Sequence, residues 1–289
     1  MYEVCVSSHT DIGDRKQSNQ DSILCKTDII NGHNVCMFVV ADGCGGLKYG
    51  EEVSKLITVH FSCFWDNELK YLLQAKRVDM NEVDLCLNDA LNNVNRRAVR
   101  FSEQVSSRVG STLTMLVSID NKYIIKNIGD SRVYVKKKNK LIKLTEDQSL
   151  VADMVRSGRI TEEEAKNSKR KNVLTMCVGA FNELKIYSRK GKIKNKDIFV
   201  LCSDGLHNYV SPEKMLDVLK SEKDIFEQKA QILRNSIESG KAADNVSSVV
   251  CGYYKRKRLH TSSIMILIGI IAILAIIFKD AVCGFFGNR

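Results

Sequence analysis

The stretch CMFVVADGCGG, residues 36–46, ends an apolar, strand-forming run with an aspartate followed by glycine. The same order recurs in IFVLCSDGL, residues 198–206, while DSILCK and DNVSSVV open on an aspartate. Each of these acids therefore stands at a predicted strand end: Asp21, Asp42, Asp204 and Asp244. Carboxylates gathered in one cleft resist joint ionisation unless a cation neutralises them, and oxygen ligands alone suit Mg²⁺ or Mn²⁺. Taken singly, an Asp-Gly pair is more often an ordinary turn than a metal ligand, and it is the joint occurrence of these acids that favours a metal site.

The surrounding pattern predicts an α+β domain with antiparallel sheets. Runs rich in Val, Ile, Tyr and Thr predict strands at residues 2–7, 22–27, 35–41, 111–119, 123–128, 132–137, 198–202 and 246–254. Helical periodicity predicts helices at residues 50–64, 82–103, 149–157, 161–167, 212–219 and 225–239. Because strands cluster apart from helices and turn signals join neighbouring strands, we expect hairpins rather than a parallel doubly wound sheet.

Composition narrows the classes of function. The chain has 289 residues, enough for one main domain, and 44 Lys and Arg against 34 Asp and Glu, a formal net charge of +10. That balance suits an anionic membrane surface or phosphorylated substrates. The charged stretches lack interleaved aromatic residues, so we expect no nucleic-acid partner. The 10 cysteines form no C-x-x-C pair and, with the 5 histidines, no zinc-ligand spacing; we expect reduced thiols in a cytosolic domain.

The C-terminal segment reads as a membrane anchor. The sequence KRKR, residues 255–258, precedes a charge-free stretch at residues 259–278, close to the length of about 18 or more apolar residues that a spanning helix needs. We predict a basic juxtamembrane linker at residues 254–263 and a transmembrane segment with a short tail at residues 264–286. The positive-inside rule then gives a single-pass protein of the cell membrane with its main domain in the cytoplasm. A buried C-terminal helix is the alternative.

Six motifs occur in an order that resembles one known family. They are NQDS (19–22), VVADGCGG (39–46), GSTLTML (110–116), NIGDSRVY (127–134), LCSDGL (201–206) and DNVSSVV (244–250). In this order they are similar to the motifs of the metal-dependent protein phosphatases of the 2C type, and the bacterial members in particular, over residues 1–253. The resemblance implies a four-layer sandwich, two central antiparallel β-sheets flanked by α-helices. It also implies a centre of two Mn²⁺ or Mg²⁺ ions that hydrolyses phosphoserine and phosphothreonine in proteins, opposing a serine/threonine kinase.

The resemblance also assigns roles to the aspartates. Asp42 would bridge two metal ions, and the carbonyl of Gly43 would complete the coordination of one of them. The second ion would be held by Asp204 and Asp244. Asp21 would not bind a metal ion directly but would orient the water bound to the metal ions. Asp130, in the GDSR motif, would bind a looser third metal ion, or serve only as a turn between two strands.

Several positions depart from the family pattern. Lys16 stands where the family has a phosphate-binding Arg, so it would meet phosphate as a point charge; Arg15 next to it, or a merely solvated basic pair, is the alternative. Gln20 replaces a frequent Glu, which predicts weaker metal affinity. Cys44 occupies the place of a His found in some eukaryotic members, and nearby carboxylates oppose a thiolate there. Residues 144–179 resemble the family's flap. The basic KRKN sequence in this stretch either favours phosphorylated substrates or belongs to a solvated surface helix and loop.

Two functions of different class follow from these residues. The first is a membrane-tethered, metal-dependent serine/threonine protein phosphatase. The second is a catalytically inactive phosphatase-like domain that serves as a membrane-bound binding module, which loss of a metal-binding aspartate would favour. Asp42, Asp204 and Asp244 are all present, which favours the enzyme.

Overall fold

The computed structural model describes residues 2–44, 49–74, 78–220 and 223–256 of the chain. Met1–Tyr254 form one compact unit and Lys255–Arg289 form a second, of which only the first two residues are described. The predicted transmembrane segment 264–286 and residues 257–263 of the predicted linker lie outside the described residues, so these boundaries stay predictions. Within the described ranges, no helix has the length and apolar character needed to cross a bilayer.

Strands and helices alternate in groups along the chain. The strands are β1 (Tyr2–Asp11), β2 (Asp21–Ile30), β3 (His33–Asp42), β4 (Leu113–Ile119), β5 (Lys122–Ile128), β6 (Arg132–Lys137), β7 (Lys140–Lys143), β8 (Tyr187–Lys192), β9 (Asp197–Cys202) and β10 (Val246–Lys255). The helices are α1 (Gly50–Phe64), α2 (Lys70–Leu72), α3 (Met80–Gln104), α4 (Leu150–Arg156), α5 (Glu162–Asn167), α6 (Asp204–His207), α7 (Pro212–Lys220) and α8 (Lys229–Asn235). A π-helical turn (Trp65–Leu69) joins α1 to α2, and a 3₁₀ helix (Lys223–Gln228) precedes α8.

The strands form two five-stranded sheets. One has the order β1-β10-β9-β6-β7 and the other β2-β3-β4-β5-β8. The pairs β2–β3, β3–β4, β4–β5, β5–β8, β10–β9, β6–β9 and β6–β7 are all antiparallel. The antiparallel arrangement expected from the turn signals is confirmed, and it brings the end of one strand beside the start of the next.

Strand β3 shows why an unbroken apolar run folds as a central strand. Successive side chains of a strand point to opposite faces, and both faces of β3 are covered. Cys36, Phe38 and Val40 pack between the two sheets. The alternate residues Val35, Met37, Val39 and Ala41 pack against the helices on the outer face. Every residue of this run is fully buried, so each position contributes to one of two cores.

Helices cover the outer faces of both sheets. Ile57 and Phe61 of α1, with Leu87 and Leu91 of α3, pack on the sheet that contains β3. Apolar residues of α7 and α8 pack on the other sheet, where they meet Val200 of β9. The result is a layered order of helices, sheet, sheet and helices. The four-layer arrangement predicted from the resemblance is therefore confirmed.

Some predicted elements need correction. Strands β7 and β8 were not predicted, because KLIK and YSRKGK are short, polar and mostly exposed at the edges of their sheets. The single helix predicted at residues 225–239 is instead a 3₁₀ helix followed by α8, which ends at Asn235. The other predicted helices agree with the structure to within a few residues at their ends.

Candidate metal centre and active site

The strand ends bring the predicted aspartates to one end of the sandwich. Asp21 begins β2 and Asp42 ends β3, and the antiparallel register pairs these two residues directly. Asp204 follows β9 as the first residue of α6, and Asp244 lies two residues before β10. Asp130 precedes β6, whose first residue pairs with the last residue of β9. The end of both sheets that carries these aspartates is called the aspartate end below.

Crowding raises the affinity of these acids for protons. Burial, followed by the charges of Asp21, Asp204, Asp130 and Asp244, raises the pKa of Asp42 well above its ordinary value. Burial is also the main cause that raises the pKa of Asp21 to about 7, of Asp204 to about 6 and of Asp130 to about 8. Carboxyls in this state are stabilised by a positive charge placed among them. The group therefore has the electrostatics of a cation-binding centre.

Asp21 carries the clearest sign of an additional partner. Its side chain is 7% exposed, and its Oδ2 accepts a hydrogen bond from Ser203 Oγ at 2.9 Å. Its Oδ1 is buried and has no hydrogen-bond partner among the described residues. Buried polar atoms are nearly always paired, so Oδ1 is suited to accept from water or face a cation. The charged side chains that act on Asp21 are the carboxylates of Asp204 and Asp244, and carboxylate oxygens suit Mg²⁺ or Mn²⁺.

Gly43 and Gly205, which follow Asp42 and Asp204, leave no room for a side chain. A Cβ on Gly43 would lie 2.5 Å from the backbone carbon of Gly50, and one on Gly205 would lie 1.9 Å from the carbonyl oxygen of Asn245. Neither glycine has a positive φ. The reason for glycine after each aspartate is thus close backbone approach at the aspartate end. Gly43 is anchored there through its N–H, which donates to the carbonyl of Gln20 at 3.1 Å.

Lys16, rather than Arg15, reaches the aspartates. Its Nζ lies 2.6 Å from Asp244 Oδ1. Burial opposes its charge, but the hydrogen bond and charge of Asp244, with the charges of Asp42 and Asp204, raise the pKa of Lys16. Arg15 is exposed. The placement suits a residue that meets substrate phosphate, a role that stays a prediction.

Some of the carboxylate oxygens that were predicted to bind metal ions contact other side chains in this structure. Asp42 lies close enough to Asp204 to lower its pKa through hydrogen bonding, against the larger effect of burial, and Lys16 forms an ion pair with Asp244. Correspondingly, no three His, Cys, Asp or Glu side chains within the described ranges are arranged to hold a metal ion. For Asp244 to serve as a metal ligand, its oxygen has to exchange Lys16 for the metal. The predicted roles of Asp42, Gly43, Asp204 and Asp244 as metal ligands accordingly stay predictions.

Asn245, which was not predicted as a site residue, fixes the loop that carries Lys16. Its Nδ2 donates to the carbonyls of Ile12 and Ser18 at 2.8 and 3.0 Å, and its Oδ1 accepts from the N–H of Gln20 at 2.9 Å. These bonds clamp the loop on both sides of Lys16. The adjacency of Asn245 to Asp244 in the DNVSSVV motif was the available signal.

A second group of contacts joins Asp130 to the start of the flap. Arg132 binds Asp147 through two nitrogens, with Nη2–Oδ2 at 2.7 Å. The N–H of Gly129 donates to Gln148 Oε1 at 2.8 Å, and the N–H of Gln148 donates back to the Gly129 carbonyl at 3.0 Å. Gly129 has φ of +99°, a conformation that favours glycine. The turn that positions Asp130 and the base of the flap are therefore one connected unit.

The flap and Cys44 complete the surroundings. Residues 144–179 contain α4 and α5, each begun by a hydroxyl cap, Ser149 and Thr161. The charge of Lys171 in the flap opposes part of the rise in the pKa of Asp204 that burial causes. The hydrogen bond with Cys177, then burial, raises the pKa of the Cys44 thiol. A nucleophilic thiolate at Cys44 is thus disfavoured, as the sequence predicted.

Comparisons with known proteins point to one family. The sequence profile described as Protein phosphatase 2C matches residues 10–243, a span that includes Lys16, Asp21, Asp42, Asp130 and Asp204 and ends one residue before Asp244. The serine/threonine phosphatase stp of Listeria welshimeri is 33% identical over 219 residues, which make up 75% of this chain and 84% of that protein.

Solved structures show the same architecture. The serine/threonine phosphatase of S. agalactiae has a TM-score of 0.77 at 25% identity, covering 88% of this chain and 100% of that chain. The catalytic domain of the serine threonine protein phosphatase PstP, in complex with 2 manganese ions, has a TM-score of 0.74 at 25% identity and the same coverage. The similarity therefore extends over the whole sandwich.

Proposed function

The chain belongs to the protein phosphatase 2C family and is a serine/threonine phosphatase, and we propose that it hydrolyses phosphoserine and phosphothreonine in proteins at the aspartate end. The observation that carries this proposal is the convergence of Asp21, Asp42, Asp130 and Asp204, whose pKa values are all raised. An acid cluster of this kind is stable with its charges ionised only when cations lie among them.

Two divalent cations, Mn²⁺ or Mg²⁺, would be held by Asp42, the Gly43 carbonyl, Asp204 and Asp244. When bound, such a pair activates a water molecule near neutral pH and neutralises charge that develops on the phosphoryl group. Asp21, fixed by Ser203, would accept a hydrogen bond through its free Oδ1 and so orient water at the centre. Asp130 would hold a third, looser ion.

Lys16 would bind the phosphate of the substrate. Its ammonium already lies among the carboxylates, so a bound phosphate would meet it beside Asp244. As a point charge it attracts phosphate without the bidentate geometry of arginine. Exchange of Lys16 between Asp244 and phosphate would couple metal binding to substrate binding, because Asp244 is freed when the amine moves.

The experiment that tests this function is phosphate release from phosphoserine and phosphothreonine peptides. Purified protein is assayed with Mn²⁺, with Mg²⁺ and with a chelator, beside an Asp42→Asn variant. We expect release only with a divalent cation and none from the variant. Equal release in the presence of the chelator would contradict metal-dependent catalysis at this site, and a folded, metal-loaded protein without activity would favour the inactive binding module.

A second part of the proposal concerns location. The basic sequence at residues 255–258 and the charge-free stretch at residues 259–278 support a single-pass anchor in the cell membrane, with the phosphatase domain in the cytoplasm. There it would oppose a serine/threonine kinase. The test compares fractionation of cells that express the full chain with cells that express a chain stopped after Tyr254. Pelleting of the full chain alone supports the anchor, and a soluble full chain contradicts it.

A further inference from the structure

Lysines crowd the end of the sandwich that lies opposite the aspartate end. They come from the β4–β5 turn, the β6–β7 hairpin, the β8–β9 loop and the end of α7. We call this set the lysine end: Lys122, Lys136, Lys137, Lys138, Lys140, Lys192, Lys194, Lys196 and Lys220.

The strand pairings place these lysines together. Lys122 at the start of β5 pairs with Lys192 at the end of β8. In the other sheet, Lys136 near the end of β6 pairs with Ile198 at the start of β9. The N–H of Lys196 donates to the carbonyl of Tyr253 near the end of β10 at 2.8 Å. Both sheets therefore contribute lysines to the same end.

Much of this positive charge is not neutralised. Lys138, Lys140, Lys192 and Lys194 are exposed, and none of them makes an ion pair with another described residue. The acids at this end are fewer: Glu3, Asp28, Asp120, Asp197 and Asp217, of which Asp217 pairs with Lys220 at 3.5 Å.

Asp197 and Asp120 also have partners of their own. Asp197 is buried, with Lys137 at 3.8 Å, and Asp120 accepts from the ring of His33 at 2.7 Å. Burial lowers the pKa of Lys136; the charge of Asp197 opposes this effect, and the neighbouring charges of Lys196 and Lys220 lower the pKa further.

We propose that the lysine end is a docking surface for an anionic phospholipid bilayer. Clusters of basic side chains bind anionic membrane surfaces, and each charge adds to the attraction. The last residue of the main unit, Tyr254, directly follows Tyr253, which pairs with Asp197 at this end, so the chain leaves the unit among these lysines. The sequence then continues with Lys257, Arg258 and a charge-free stretch.

Two observations favour a bilayer over a nucleic acid. Single-stranded nucleic acids need exposed aromatic side chains for stacking. The large aromatic residues exposed in the described ranges, Tyr49, Tyr71, Phe181 and Tyr209, belong to other segments. The geometry also suits a membrane. β9 has 6 residues and thus separates the two ends by about 20 Å at ~3.3 Å per residue, so a domain docked by its lysine end would direct its active site away from the bilayer.

This inference goes beyond the proposed function, because lipid binding by the folded domain neither requires nor implies catalysis. The test uses a chain stopped after Arg256, which contains the complete compact unit but no apolar tail. Binding is measured by co-sedimentation with vesicles of phosphatidylcholine, with and without phosphatidylglycerol. We expect binding only to the anionic vesicles, and we expect it to weaken as salt rises.

The variant that carries the test is Lys138→Glu, Lys140→Glu, Lys192→Glu and Lys194→Glu together. The matched control is Lys55→Glu, Arg96→Glu, Arg100→Glu and Lys214→Glu, an equal charge change on exposed residues of α1, α3 and α7. We expect the lysine-end variant to lose at least about tenfold in binding and the control to keep it. Hydrolysis of a small phosphate ester should be unchanged in both, which verifies folding.

Three results would overturn the proposal. The first is that the wild-type protein binds the two vesicle types equally. The second is that the lysine-end variant and the control variant lose binding to the same extent. The third is that the protein binds an RNA of matched charge but does not bind anionic vesicles. If the glutamate variant fails to fold, the corresponding four Lys→Gln changes carry the same test. Lipid binding can be measured even in a protein without phosphatase activity, so failure of the proposed function would be recognised separately.

Discussion

Each aspartate of the site destabilises the fold when charged, because it stands close to others of its kind. The raised pKa values of Asp21, Asp42 and Asp204 express this repulsion together with the cost of burial. The contact of Lys16 with Asp244 offsets only part of it. At the residue scale, the carboxylates of the site therefore favour a positive charge placed among them, and they lower the stability of the fold when ionised without one.

Asp42→Asn should separate these two effects. The change removes a charged oxygen from the middle of the acid cluster, so hydrolysis with Mn²⁺ should fall by at least about 1,000-fold, since several kcal/mol of electrostatic stabilisation are lost. The melting temperature in chelator should stay equal or rise, because one repelling charge is gone. If the variant keeps activity within about twofold of wild type, less than ~0.5 kcal/mol of transition-state stabilisation is lost, which would contradict a role for Asp42 as a metal ligand.

Lys16→Ala should affect substrate binding more than turnover. If Lys16 meets phosphate in the ground state, KM should rise by more than kcat falls, and Arg15→Ala should change both much less. Steady-state kinetics on one phosphopeptide distinguish the two variants. A larger loss in Arg15→Ala would transfer the phosphate-binding role to that neighbour.

At the scale of elements, β3 supplies both cores and therefore tolerates little change. Phe38 lies between the sheets and is fully buried, so Phe38→Ala should lower the free energy of unfolding by about 3–5 kcal/mol. Ile142 on the edge strand β7 is 41% exposed, and Ile142→Ala serves as the control with a loss below about 2 kcal/mol. Urea denaturation measures both values. Similar losses would contradict the assignment of Phe38 to the inter-sheet core.

The flap depends on one ion pair at its base. Burial alone would raise the pKa of Asp147, but the charge and hydrogen bonds of Arg132 hold it below its ordinary value. The stabilisation is therefore present above the unfolded pKa of about 3.9 and is lost as the pH falls through the lower folded value.

Arg132→Met leaves Asp147 charged in a mostly buried position. We expect a loss of about 3 kcal/mol at pH 7, which shrinks as the pH falls to about 4 and below because Asp147 takes up a proton. Lys143→Met removes a more exposed partner of the same carboxylate, at 3.3 Å, and should cost less than about 1 kcal/mol. Denaturation curves across pH test this, and a loss from Arg132→Met that is independent of pH would contradict it.

How far the sequence predicts such elements depends on where their contacts lie. Alternation and apolar runs predict β3 and β9, because two-sided burial leaves a local signature. The edge strand β8 was not predicted, because it is formed by pairing with β5, more than fifty residues away, and its own side chains carry no strand pattern. The motifs placed the aspartates at strand ends correctly. The Arg132–Asp147 pair and the clamp by Asn245 were not predicted, since they join segments that only the fold brings together.

At the scale of the whole molecule, the two ends of the sandwich differ in charge, and our proposals give them different roles. The aspartate end gathers the residues that would bind metal ions and phosphate, and the lysine end is the one from which the chain leaves β10. With a bilayer at the lysine end, phosphoproteins of the cytoplasm would reach the active site without meeting the membrane. The domain would then be held at the cytoplasmic surface of the membrane, with its active site facing the cytoplasm.

The central claim is that divalent cations bind among Asp42, Gly43, Asp204 and Asp244. Crystals of the protein grown with Mn²⁺, measured at the manganese absorption edge, test it most directly. The account predicts anomalous peaks between Asp42 and Asp204, with the Lys16 ammonium displaced from Asp244. Peaks elsewhere on the surface, or an aspartate end without manganese in which Lys16 still binds Asp244, would contradict it.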